Sequence, residues 1–139
     1  MPSSRSWGIG EIGDIPTMAA WMARGGQRVL QLLPINEMPL HETSPYSALS
    51  AMAIDPQFIS VADLEDFAAL GSEPGLDAEL RGRLAEARTA VAVKYSTVRA
   101  LKQAVLRQAF ARFLDEVWST RTQRAESLRA YIHDQSWWL

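Results

Sequence analysis

From Ala78 to Asp134 the apolar residues recur at intervals of three and four, a spacing that commits this half of the chain to helices. One helix is predicted over roughly Ala78 to Ala92, with Leu80, Leu84 and Ala87 turned inward. A longer one runs from near Tyr95 to about Ser119, with Val98, Leu101, Val105, Ala109 and Phe113 forming its apolar stripe. A third starts near Thr122 and ends around Asp134. Trp137-Trp138-Leu139 follows and gives an apolar ending, which is expected to reflect truncation because termini are ordinarily polar and exposed.

The first third reads differently, because it is dense in turn residues. Gly8, Gly10 and Gly13 punctuate a loop whose spacing resembles a glycine-rich phosphate loop. No strand precedes it and no lysine accompanies it, so a tight loop leading into a helix is the expectation. Asp14 is placed to cap that helix and Pro16 sits in its first turn, where a missing N–H costs little. Met18, Trp21 and Met22 form one stripe expected to face the core, and Gly25-Gly26 stops the helix. Arg28-Val29-Leu30-Gln31-Leu32-Leu33, closed by Pro34, reads as a strand buried on both faces. Helix, glycine stop and buried strand together predict an α/β fold: part of a (β/α) TIM barrel, followed by a mostly helical insertion and mainly helical by content. Residues 35–56 form a long loop after that strand, where such barrels carry function. Phe58 to Val61 is expected to be extended, and Asp63 to cap a short helix over Leu64 to Leu70.

Bulk properties exclude several classes. The 139 residues suffice for one ordinary domain, and the formal charge of −2, with both signs interspersed, offers no basis for nucleic-acid binding. No apolar run approaches the ~20 residues of a membrane span, and the N-terminus lacks the apolar region of a signal peptide. With no cysteine and two isolated histidines, no metal site or other cofactor is expected, and a cytoplasmic location fits.

Several blocks line up with one family. Trp7-Gly8-Ile9-Gly10-Glu11-Ile12-Gly13-Asp14 is similar to the loop that follows the first barrel strand of the amylomaltases, the 4-α-glucanotransferases of glycoside hydrolase family 77. Gln27 to Pro34 resembles their second strand. Ser44-Pro45-Tyr46 followed by Ser50-Ala51 resembles their substrate-loop segment. Val93 to Val98 with Lys102, and Ala109-Phe110 with Phe113, look like their helical insertion. The departures are Ser47, His41-Glu42-Thr43 and Asp55, the last standing where an Asn before Pro is common in the family. The resemblance implies residues 1–62 as a partial barrel segment carrying the substrate loop and 63–139 as a helical insertion subdomain, with the family's first strand and its catalytic carboxylates lying outside this chain.

The activity so implied is transfer of an α-1,4-glucan segment between maltodextrin, starch or glycogen chains by a retaining mechanism, which needs a carboxylate nucleophile and a carboxylic acid ~5–5.5 Å apart. Glu37, Glu42 and Asp55 are expected to be solvated or hydrogen-bonding loop carboxylates rather than that pair. No catalytic residue is therefore assigned here, and the chain alone is expected to be inactive. Ser44 and Tyr46 are the substrate-binding candidates: a phenol ring offers an apolar face to a sugar and a hydroxyl at its rim. Trp7, Asn36 and His41 are weaker candidates. The expected partner is an α-1,4-glucan or maltooligosaccharide. The rival reading is a non-catalytic glucan-binding or helical interaction module.

Overall fold

The computed structural model describes residues 3–40 and 42–139. Five α-helices appear: α1 (Ile15–Arg24), α2 (Glu65–Ala69), α3 (Ala78–Thr89), α4 (Tyr95–Phe113) and α5 (Gln123–Asp134). A single π-helical turn, Leu114–Trp118, continues α4, and short 3-10 turns occupy Ile12–Asp14, Pro56–Phe58, Val61–Asp63 and Glu73–Gly75. All seven prolines lie before Leu76, which leaves α3, α4 and α5 free of the residue that most disrupts a helix interior. The Asp77 side chain accepts from the Leu80 N–H at 2.8 Å and starts α3. Thr122 does the same for α5 through the Ala125 N–H, at 3.4 Å.

The α4 stripe is buried along its length, from Val98 through Leu101, Val105 and Ala109 to Phe113. Leu80 and Leu84 of α3 and Phe67 of α2 pack against Leu101 and Val105 to form the main core. Three side chains from outside the α-helices complete it: Trp7 and Val61, both fully buried, and Leu76. Trp7 meets Phe67 edge-on, with ring centroids 5.5 Å apart and planes at 76°. Each large apolar side chain removed from water in this way contributes about 1.5–3 kcal/mol. The N-terminal loop is thus fastened to the helices by its tryptophan.

Gly8 and Gly13 are required by close packing. Gly8 has φ +81°, and a Cβ there would lie 2.8 Å from the Ala87 carbonyl oxygen. A Cβ on Gly13 would lie 2.5 Å from both Ser60 Oγ and Asp63 Oδ2. The glycines let this loop lie directly on α3 and on the 60–63 turn.

The expected partial (β/α) barrel is overturned, because no strand is present among the described residues and the elements are helices joined by long loops. The segment predicted as a doubly buried strand, Arg28 to Leu33, has no regular secondary structure and is mostly exposed, with Val29 78% and Leu33 63% accessible. A strand exists only where a neighbour takes up its N–H and C=O groups, and none lies beside this run. Among the described residues the one β-type contact is an isolated antiparallel bridge between Asn36 and Ile54. Of Phe58 to Val61, expected to be extended, Ile59 and Ser60 are so and link two 3-10 turns that hold Phe58 and Val61, and Leu64 rather than Asp63 precedes α2. Trp21, expected in the core, is 62% exposed on α1, a helix that packs chiefly against the adjoining 12–14 turn.

Polar contacts tie the helices to one another and to the loops. Asp66 of α2 accepts from Arg124 of α5 and from Arg112 of α4. Arg88 of α3 grips Glu73 through both carboxylate oxygens, at 2.6 and 2.8 Å, and donates to the Ser6 carbonyl at 3.2 Å. The deepest ion pair joins Lys102 of α4 to Glu11, whose carboxylate lies 2.5 Å from the ammonium. The remaining donors of Lys102 reach the carbonyls of Gln57 and Ile59, each at 2.8 Å, and Glu11 also accepts from the Trp7 N–H at 3.0 Å. Burial pushes the Lys102 ammonium below the ordinary lysine value, and the hydrogen bond to Glu11 opposes that shift. Removing one partner strands the other in the interior, so Lys102→Met should cost about 3–5 kcal/mol in urea unfolding. The double variant Glu11→Gln/Lys102→Met should recover part of that loss.

Candidate functional site

Residues 36–54 leave the core as a loop and return to it, and the two ends are held together at the base. The Glu37 N–H donates to the Ala53 carbonyl at 3.0 Å, and the Asp55 N–H to the Ile35 carbonyl at 2.9 Å. The Asn36 side-chain amide donates to the carbonyls of Ala51 and Ala53, at 3.0 and 3.4 Å. Below these, buried Asp55 accepts from the N–H groups of Met38 and Gln57, at 3.4 and 3.0 Å. Arg99 of α4 donates to the Asp55 carboxylate and to the Met38 carbonyl, each at 3.1 Å.

At the far end of the loop, Ser44-Pro45-Tyr46-Ser47 makes a β-turn closed by the Ser47 N–H on the Ser44 carbonyl at 3.1 Å. Proline at the second position presets φ for such a turn. Glu42 holds the approach, one carboxylate oxygen accepting from the N–H groups of Thr43 and Ser44 at 2.9 and 3.0 Å. The turn presents the Tyr46 ring outward, 75% exposed.

Beside the turn, reached by its Pro45, lies a cavity of about 400 Å³. Its walls include Ile9 to Ile12 of the glycine loop, residues 32–35, Thr43 and Pro45, and Tyr95 at the start of α4. Leu33, Met38 and Phe58 make it largely apolar. The arrangement provides a flat exposed ring, a polar turn and an apolar recess, which is the chemistry that receives a polyol with hydrophobic faces.

The sequence-predicted residues are distributed as follows. Ser44 and Tyr46 lie together on the turn. Asn36 closes the base of the loop and makes its hydrogen bonds within it. Trp7 is fully buried against Phe67. His41 lies outside the described residues. The carboxylates of Glu42 and Asp55 serve as acceptors within the loop, and among the described residues no group of three His, Cys, Asp or Glu side chains is arranged to hold a metal ion. Two contributors were not singled out from sequence, Tyr95 and Arg99. They share one face of α4 with Lys102, at positions i, i+4 and i+7. That polar stripe beside the apolar one was the available signal.

The Glu42 interaction yields a titration test. The N–H groups of Ser44, first, and Thr43 hold its carboxyl below the ordinary glutamate value. A carboxylate with a lowered pKa keeps its contacts above that value and loses them as pH falls through it. The Thr43 and Ser44 amide resonances should therefore titrate together, with a midpoint below the ordinary glutamate value. Glu42→Gln should abolish that step.

Comparison with known proteins is consistent along the chain. All of residues 1–139 match the family described as 4-alpha-glucanotransferase. A 4-alpha-glucanotransferase of Chlamydia pneumoniae is 27% identical over 99% of this chain, which spans 24% of that relative's length. The rice protein named 4-alpha-glucanotransferase DPE2 is 26% identical over 99% of this chain, corresponding to 14% of its own length. A 4-alpha-glucanotransferase of Chlamydia caviae is 39% identical over 42% of this chain and 11% of its own. The chain thus spans about a quarter or less of these relatives, and it belongs to glycoside hydrolase family 77, the 4-alpha-glucanotransferases.

Proposed function

We propose that this chain supplies glucan contacts to a 4-alpha-glucanotransferase, which moves an α-1,4-glucan segment from a donor chain to an acceptor sugar. The observation that carries this is the Ser44–Ser47 turn, which exposes Tyr46 and whose Pro45 lines a recess shared with the glycine loop and Tyr95. The Tyr46 ring packs on the apolar face of one glucose unit, and the Ser44 hydroxyl donates to or accepts from a sugar hydroxyl. The names of the matched relatives support the substrate class.

Retention requires a nucleophilic carboxylate and an acid that later acts as base. We assign neither to Glu37, Glu42 or Asp55, and place that pair in sequence beyond this chain. The contribution of residues 1–62 is to seat and orient sugar, so that an acceptor hydroxyl rather than water meets the glycosyl intermediate. Residues 63–139 act as the helical support for that loop. Soluble maltodextrin, starch or glycogen chains are the substrates in this proposal, and the cytoplasm the compartment. Among the described residues no helix is long and apolar enough to cross a membrane.

Two measurements test the proposal. Incubated with maltotriose, this chain should release no glucose and build no longer dextrins; disproportionation would show that it carries its own catalytic pair. Titrated with maltoheptaose, it should bind saturably, and Tyr46→Ala should weaken binding about tenfold, the loss of one ring–sugar contact of about 1–1.5 kcal/mol. The melting temperature should stay unchanged, because the ring is exposed. Equal affinity of the two proteins would remove Tyr46 from the site.

A further inference from the structure

We propose that Arg99 and Asp55 form a clasp that positions the 36–54 loop for glucan, with Arg99 acting as a positioning residue and touching no sugar itself. The inference rests on the glucan-binding reading above.

The two residues stand 44 positions apart in sequence, and the Asp55 carboxylate is buried while Arg99 is 17% exposed. The contacts converge on the neck of the loop. Arg99 reaches the Met38 carbonyl on the outgoing strand of chain and the Asp55 carboxylate on the returning one, each at 3.1 Å. The same Asp55 oxygen accepts from the Met38 N–H at 3.4 Å and from the Gln57 side-chain amide at 3.1 Å. Both sides of the neck are thus bridged by one guanidinium anchored on the longest helix.

Charge and geometry both matter here. A planar guanidinium serves two acceptors at once, which lysine does only singly. Asp55 also stands where the family resemblance leads one to expect an Asn, and the extra negative charge is the one Arg99 meets. Above the neck, among the described residues, the two sides of the loop are joined by a few main-chain bonds and the Asn36 amide, with Leu49 N–H on the Glu37 carbonyl at 2.7 Å, while Glu42 and Ser50 bond only to near neighbours. A loop so sparsely bonded owes its orientation to its base, and the Tyr46 ring at its tip moves with that base. Ordering such a loop before sugar arrives reduces the entropy lost on binding.

The test uses the chain itself, in Arg99→Met and Arg99→Lys forms, with two readouts. Amide hydrogen exchange at Glu37, Leu49 and Asp55 should accelerate at least tenfold in Arg99→Met, with exchange at Leu101 and Val105 in the α4 core unchanged. Arg99→Lys should fall between wild type and Arg99→Met. Maltoheptaose affinity should drop in the same order, severalfold or more for Arg99→Met. Unchanged loop exchange overturns the clasp. Faster loop exchange with unaltered affinity overturns its role in sugar binding. Exchange that accelerates equally through α4 means general destabilisation and also overturns the proposal. If wild type binds no maltoheptaose, the glucan reading fails by itself, the positioning role fails with it, and the exchange data decide only whether the clasp exists.

Discussion

The ammonium of Lys102 is the point on which the rest of the structure hangs. A buried lysine is tolerated only when each of its donors has an acceptor, since an unsatisfied charge in the interior is among the costliest defects a fold can carry. Its three partners are the Glu11 carboxylate and the carbonyls of Gln57 and Ile59. Satisfying one side chain therefore brings together an N-terminal loop, the returning end of the 36–54 loop and the middle of α4. None of those loop segments has a ladder of its own to hold it. Trp7, whose N–H also binds Glu11, then enters the core beside Phe67, and apolar burial completes what the charge began.

Above this point the site is assembled from segments with little regular structure, and its order comes from side chains bonding to backbone. Glu42 shapes the approach to the Ser44–Ser47 turn, Asn36 stitches the loop near its base, and Asp55 gathers the chain where it returns. Carboxylates in a glycosidase-like sequence invite a catalytic interpretation. Here Glu42 and Asp55 are both occupied as acceptors for N–H groups, and for Glu42 this favours the ionised form and not the poised acid that proton transfer needs.

How much of this was legible in the sequence depended on whether the relevant contact is local. The α4 stripe was readable because Val98, Leu101, Val105, Ala109 and Phe113 obey the helical period, and all five are buried. The 35–56 loop was readable because proline and short polar residues favour turns over helices and strands. The run Arg28 to Leu33 misled, because continuous apolarity says that a segment seeks burial but not what covers it, and no strand lies against it among the described residues. Trp21 misled for the same reason: its spacing is helical, yet little packs on its face of α1. The pairs Lys102–Glu11 and Arg99–Asp55 span large separations, and no periodicity links their members. Lys102 was noticed only as a feature of the family resemblance, and Arg99, whose place on the polar stripe of α4 was the one local signal, was not singled out.

Tyr95, Arg99 and Lys102 occupy one face of a single helix and reach, in turn, the recess, the loop neck and the glycine loop. A helix advances 100° and 1.5 Å with each residue. Inserting or deleting one residue between Tyr95 and Lys102 would rotate one end of this stripe away from its partners even if every side chain were kept. Length changes beyond either end of the stripe would leave the three in phase. Residue identity on the exposed faces of α4 and the length of its far end can therefore change without breaking the stripe, while the seven-residue step from Tyr95 to Lys102 is fixed by helix geometry.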